Sequence, residues 1–219
     1  REDNVNPQLL YVGNERGLYV STQGGNQWLR LKNNLPTVSV RDVDIVPATR
    51  ELVVGTFGRS VYVLDLIPLQ ELADSIANKD GHLFTVRDVR AFQQGNTYES
   101  YGDKFFTTPN PPSGAQISYY LKADQGRDVT LTIRKAGAGE DDVVQTITGS
   151  GRPGIQTVTW DLLARRPRAR ELGGPTTPQE LREVPAGAYT VSMRVGNSTL
   201  TRTFRVDRGW LENTPGRVR

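Results

Sequence analysis

Short apolar runs, separated by glycine, asparagine and proline, punctuate the first third of the chain. Leu9-Leu10-Tyr11-Val12-Gly13 and Gly17-Leu18-Tyr19-Val20-Ser21 are β-prone and flank Asn14-Glu15-Arg16, the pattern of a hairpin. Trp28-Leu29-Arg30-Leu31 supplies a third strand, and a turn at Asn33-Asn34-Leu35-Pro36 closes the set. The cycle then restarts. Residues Val40 to Val46 alternate apolar and charged side chains, followed by Leu52-Val53-Val54-Gly55-Thr56 and Val61-Tyr62-Val63-Leu64-Asp65. Leu10-Tyr11-Val12-Gly13 aligns with Leu52-Val53-Val54-Gly55, and Gly17-Leu18-Tyr19-Val20 with Ser60-Val61-Tyr62-Val63. The offsets, 42 residues for the first pair and 43 for the second, fall within the ~40–45 residues of a four-stranded propeller blade.

Residues 66–81 break this rhythm. Leu69, Leu72, Ala73 and Ile76 recur at helical spacing, which predicts a short helix or linker. A second β region follows, with strands expected over His82–Phe92, Gln116–Ala123, Val129–Lys135, Val143–Thr148, Gln156–Leu162, Ala188–Val195 and Thr199–Val206. Short strands at this density, with turn signals between them, fit a β-sandwich of the immunoglobulin class. Gln93–Pro112, Gly137–Asp142 and Ala164–Glu183 read as irregular loops. The expected organisation is all-β: a partial β-propeller of about two blades over residues 1–66, a linker or short helix over 67–81, an immunoglobulin-like β-sandwich over 82–207, and a tail over 208–219.

Composition narrows the chemistry. The 219 residues include 22 glycines and 13 prolines, in keeping with many turns and few long helices. Lysine and arginine number 27 against 24 aspartates and glutamates, and they are scattered, so no phosphate-binding groove and no nucleic-acid partner is expected. There is no cysteine and a single histidine, His82. That removes disulfides, thiolate nucleophiles and every Cys/His zinc pattern. No apolar run approaches the ~20 residues of a membrane-spanning helix. The first residue is Arg1 rather than Met and nothing at the start resembles a signal peptide, so a processed or trimmed piece of something longer is expected.

Ser21-Thr22-Gln23-Gly24-Gly25-Asn26-Gln27-Trp28 resembles the Asp-box of BNR repeats, found in sialidase-like and sortilin-like propellers. The family pattern is Ser-x-Asp-x-Gly-x-x-Trp. Its Asp caps turn amides, its Gly allows positive φ, and its Trp packs between blades. The matching positions are Ser21, Gln23, Gly25 and Trp28, with Gln23 standing where the family has Asp. The flanking strands and Val53-Val54-Gly55-Thr56-Phe57-Gly58-Arg59-Ser60-Val61-Tyr62-Val63-Leu64-Asp65 resemble the last blades of bacterial BNR proteins, over residues 7–66. Further on, Val184-Pro185-Ala186-Gly187-Ala188-Tyr189-Thr190-Val191 and Val158-Thr159-Trp160-Asp161 resemble FlgD-like, secretion-associated immunoglobulin-like modules. That resemblance implies a Tyr hydroxyl closing a corner and a Trp filling the core.

Candidate chemistry is sparse. Sialidase relatives assemble an arginine cluster, a Tyr–Glu pair and an Asp acid at the propeller axis, from several blades. About two blades do not surround an axis. Arg59 is the candidate axial polar residue, and pairing with a neighbouring blade is the simpler reading. Asp42 and Asp44 share a strand face and read as a cation or acid–base pair, or more simply as a solvated face. Glu140-Asp141-Asp142 invites a calcium reading, but without Asp-x-Asp-x-Asp-Gly spacing a hairpin tip explains it better. No metal or cofactor is expected.

Candidate partner-binding residues fall into three groups. Arg165, Arg166, Arg168 and Arg170 form a dense basic run, facing an acidic partner, lipid headgroups or a polyanion, or simply keeping a loop solvated. Tyr98, Tyr101, Phe105 and Phe106 lie in a long loop. Trp210 and Leu211 follow the last strand and read either as folding back onto the chain or as an anchor for a partner. The expectation is a non-catalytic structural or interaction protein, extracytoplasmic (periplasmic or secreted) by resemblance, an accessory subunit or fragment docked in a larger assembly. A protein partner or the remainder of a longer chain would cover its open blade edges, with association to a membrane complex open. The alternative is the C-terminal, non-catalytic portion of a BNR-repeat glycoside hydrolase.

Overall fold

Residues 1–32, 34–72, 74–91, 113–166 and 180–208 are described by a computed structural model, with backbone alone at 74–75, 165–166 and 180–182. The protein is all-β, and its chain divides into two compact units, Arg1–Asn78 and Lys79–Arg219.

The first unit holds two antiparallel three-stranded sheets. Strands β1 (Leu10–Asn14), β2 (Gly17–Ser21) and β3 (Leu29–Leu31) form the first, in the order β1-β2-β3. Strands β4 (Val40–Val46), β5 (Glu51–Thr56) and β6 (Val61–Asp65) form the second, in the order β4-β5-β6. Period-two alternation sends Tyr11, Leu18 and Val20 of the first sheet, and Val40, Val43, Leu52 and Val54 of the second, into one shared core. Gly13 lies at the contact because a Cβ there would sit 2.3 Å from Val40 Cγ1.

The helical spacing after β6 produces α1 (Ile67–Glu71) and α2 (Asp74–Ala77). Pro68 sits in the first turn of α1, where its missing N–H costs nothing. Leu66 and Leu69 pack on the core of the two sheets. On the same helix, Gln70 reaches the chain's first residues.

The second unit builds its core between two sheets. One has the order β12-β9-β7, from β7 (Gly81–Leu83), β9 (Ala115–Leu121) and β12 (Gly154–Trp160). The other has the order β11-β10-β15-β16-β8, from β8 (Val89–Arg90), β10 (Val129–Lys135), β11 (Val143–Gly149), β15 (Gly187–Val195) and β16 (Ser198–Asp207). Ile117, Tyr119 and Leu121 meet Leu131, Ile133, Val191 and Met193 in one buried cluster.

Two elements differ from the pattern-based reading. The strand expected over His82–Phe92 is split: β7 belongs to the smaller sheet, and β8 crosses to pair parallel with β16. Asp88 Oδ1 accepts the Arg205 N–H at 2.8 Å beside that junction. The loop expected over Ala164–Glu183 begins and ends in a two-stranded ribbon, β13 (Leu163–Arg166) with β14 (Glu180–Glu183). The Val184 N–H bonds Leu162 O at 3.0 Å and extends that ladder into the core, where both residues are buried.

Candidate interaction faces

Mapping the sequence repeat onto the first unit shows what each sheet offers. The face of the first sheet that meets the second carries Tyr11, Gly13, Leu18 and Val20. At the aligned positions the second sheet carries Val53, Gly55, Val61 and Val63. Their registers, Val53 opposite Val63 and Gly55 opposite Val61, put them together on the face turned away from the core. Leu18 and Val20 are each 2% exposed, whereas Val61 and Val63 are 60% and 62% exposed. Val46, also exposed, extends this face, and so do Asp42 and Asp44, which pair with Gly55 and Val53. The second sheet thus leaves bare the face that the first sheet buries. A Cβ at Gly55 would meet nothing closer than Asp42 at 3.8 Å.

The turn that resembles an Asp-box is held by Ser21. Its buried Oγ accepts the Gly25 N–H at 2.8 Å and the Gln23 N–H at 3.3 Å. Ser21 therefore does the amide capping that the resemblance assigns to an Asp at position 23. Gly24 and Gly25 take φ of +61° and +94°. Trp28 is 41% exposed and lies close to Gly25, so it does not reach a buried inter-sheet position.

A buried polar lock escaped the sequence reading. Asp3 is buried, and its carboxylate accepts hydrogen bonds from the Val5 and Asn6 N–H groups, the Tyr11 hydroxyl at 3.0 Å, and Gln70 Nε2 at 2.9 Å. Arg50 Nε donates in turn to Gln70 Oε1. Burial pushes the Asp3 carboxyl up, but the bonds from Gln70, Asn6, Val5 and Tyr11 outweigh it and hold the group below its ordinary value. Burial, and then the Asp3 charge and hydrogen bond, push the Tyr11 hydroxyl up. The Tyr11 hydroxyl is therefore held protonated, donating to Asp3. The link from Asp3 to Gln70 leaves no local motif, because 67 residues separate the two.

The remaining polar candidates lie apart. A cleft of about 310 Å³ opens between β1 and β4, lined by Arg1, Tyr11, Val40, Arg41 and Asp42 among others. It offers one carboxylate, Asp42, whose Oδ1 accepts the adjacent Val43 N–H at 2.8 Å. Asp44 pairs with Arg1 at 3.6 Å. Arg59 sits exposed at the tip of the β5–β6 hairpin, beside Phe57, whose ring lies under the Arg41 guanidinium at 4.9 Å. Glu140, Asp141 and Asp142 are exposed in the β10–β11 hairpin. Among the described residues, no three His, Asp or Glu side chains group as metal ligands. His82 lies half-buried in β7, edge-on to Phe84 at 5.0 Å.

In the second unit, Trp160 is buried against Tyr189 and Phe204 at 5.3 and 6.0 Å, and its Nε1 donates to Leu163 O at 3.0 Å. The Tyr189 hydroxyl donates to Pro185 O, four residues back, at 2.8 Å. A cleft of about 740 Å³ is lined by Arg127, Asp128, Arg194 and Asn197 among others. Burial, with the Asp128 charge, pushes the neighbouring Tyr119 hydroxyl up to about 12, and that hydroxyl donates to Ser150 O at 2.8 Å.

Of the partner-binding candidates, Tyr98, Tyr101, Phe105, Phe106, Arg168, Arg170, Trp210 and Leu211 lie outside the described residues. Arg165 and Arg166 lie in β13, where the backbone alone is described. The molecule is an all-β protein of two compact units, the first of which carries an uncovered apolar sheet face. Comparison with family models, curated proteins and solved structures finds no match.

Proposed function

We propose that this chain is a non-catalytic, extracytoplasmic interaction protein, an accessory subunit or fragment docked in a larger assembly. In this reading the first unit is about two blades of a β-propeller, and the second is an immunoglobulin-like sandwich. The observation that carries the reading is the bare valine face of the second sheet, aligned with a face that the first sheet buries. Contiguous exposed apolar side chains on a sheet mark a contact surface rather than a solvated one. The clefts favour binding over glycoside chemistry. Hydrolysis calls for two carboxylates flanking the scissile bond, or the Tyr–Glu arrangement of sialidases, and the cleft between β1 and β4 has one carboxylate and a tyrosine committed to Asp3.

The test uses the full chain and an environment-sensitive apolar dye of the anilinonaphthalene type. The dye is expected to bind, and the double variant Val61→Ser, Val63→Ser is expected to lose most of that signal with the fold retained by circular dichroism. A chain that binds no dye overturns the reading. So does release of fluorophore from a sialoside or other glycoside by the chain itself.

A further inference from the structure

Among the described residues β6 pairs with β5 alone, whereas its repeat counterpart β2 pairs on both sides, with β1 and β3. The backbone direction along β6 follows from its two ends. The Thr56 N–H bonds Ser60 O at 3.3 Å, and the Leu66 N–H bonds Arg50 O at 2.9 Å. Hydrogen-bonded pairs of an antiparallel ladder recur at every second residue. Between those ends the bonded pairs are therefore Val54 with Tyr62 and Leu52 with Leu64. Tyr62 and Leu64 commit their backbone groups to β5, and Val61 and Val63 turn theirs to the open edge. The same two valines carry the exposed side chains.

Edge strands are normally blunted by brevity, charge or proline. The outer strand of the first sheet obeys this rule: β3 has three residues with Arg30 at its centre. β6 carries its one charge, Asp65, at its last residue, and the four residues before it, Val61-Tyr62-Val63-Leu64, contain no charge and no proline.

We propose that the open edge of β6 is a strand acceptor, filled by an extended segment of a partner polypeptide running antiparallel. The segment places apolar residues opposite Val61 and Val63 and a polar residue opposite Tyr62. The pattern is that of the internal counterpart, where Leu31 and Leu29 face Leu18 and Val20 and Arg30 faces Tyr19. The proposal rests on the reading of the first unit as a binding module and names the chemistry of its partner. Such a strand pairs the outward backbone groups of Val61 and Val63 and sets apolar side chains beside theirs on the same face.

The probe is a synthetic peptide of the chain's own third-strand segment, Asn26 to Lys32, titrated into isotope-labelled full-length chain at millimolar concentration. Amide hydrogen exchange at Val61 and Val63 is expected to slow by about tenfold or more, with Tyr62 and Leu64 unchanged. Serine at both leucines of the peptide is expected to abolish the slowing. Val63→Lys in the protein is expected to abolish it too, at unchanged melting temperature. If that variant fails to fold, the serine peptide still tests the pattern on the unaltered chain. Absence of slowing while the apolar dye still binds overturns the strand acceptor and leaves the interaction reading standing. Val61 and Val63 amides already protected in the free chain also overturn it. Protection that grows with protein concentration then assigns the edge to a second copy, and protection independent of concentration assigns it to a segment of this chain.

Discussion

Gly13 and Gly55 occupy aligned positions in the two repeats, and the packing predicts opposite responses to the same added methyl group. Neither has the left-handed backbone that would itself disfavour alanine. At residue 13 the new Cβ would lie 2.3 Å from Val40 Cγ1, 2.9 Å from Val40 Cβ and 3.3 Å from Val43 Cγ2. Carbon atoms settle about 3.5–4.0 Å apart, so relief demands a shift of about 1 Å or more by a β-branched residue with few rotamers. Overpacking of this kind costs about 1–3 kcal/mol, against a gain of about 0.4–1 kcal/mol from the stiffer unfolded chain. Repulsion wins, and Gly13→Ala is expected to destabilise the first unit by about 1–2 kcal/mol. At residue 55 the nearest atoms, Asp42 Cβ and O, lie at 3.8 Å, an ordinary contact. There the unfolded-state term stands alone, and Gly55→Ala is expected to stabilise by about 0.4–1 kcal/mol. Urea titration of the full chain, with hydrogen exchange at Leu18 and Leu52 reporting the first unit and at Ile117 the second, separates the outcomes. Gly13→Ala within about 0.5 kcal/mol of the parent would refute the packing argument. Gly55→Ala losing about 1 kcal/mol would refute the bare face, because something would already be seated there.

Two further substitutions probe the first unit. Ser21→Ala removes the acceptor for the Gly25 and Gln23 N–H groups and is expected to cost about 1 kcal/mol, read as a lower melting temperature; an unchanged melt shows that water replaces the hydroxyl. Asp3 has a folded-state pKa below its unfolded value, so its contribution is complete above the ordinary aspartate range of about 4 and is lost as pH falls through the lower folded value. Calorimetry from about pH 6 down to about pH 2.5 is expected to show a steeper acid loss of first-unit stability in the parent than in Asp3→Asn, and equal slopes would count against the lock.

Much of the architecture was legible because period-two alternation and turn residues are local signals. The strands of the first unit follow the apolar runs, and α1 and α2 fall where the spacing changes to that of a helix. The bare face carried a signal of its own. Val61-Tyr62-Val63-Leu64 is apolar at every position, the pattern of a strand meant to be covered on both faces, whereas β4 alternates. Alignment with Leu18 and Val20 completes the inference. The Asp3–Gln70 lock was not legible, because neither residue type nor spacing distinguishes a buried carboxylate from a solvated one before the chain returns 67 residues later. The crossing of β8 between sheets was hidden for a similar reason. No glycine or proline separates β7 from β8, and pairing with β16, distant in sequence, decides where the chain leaves the sheet of β7 and β9.

The way the two sheets of the first unit meet leaves two unlike faces open. The contact joins unlike faces: Tyr11, Gly13, Leu18 and Val20 on one side, Val40, Val43, Leu52 and Val54 on the other. Such a heterologous interface, unlike a two-fold one, does not use up the surfaces that generate it. The leftover faces are accordingly different from each other. One carries Val53, Val61 and Val63 beside Gly55, and the other carries Leu10, Val12 and Tyr19, which align with the core residues Leu52, Val54 and Tyr62. A two-fold pair of chains would bury one leftover face against its own copy and leave the other in water. A stack of repeats satisfies both faces only by continuing or by closing into a ring.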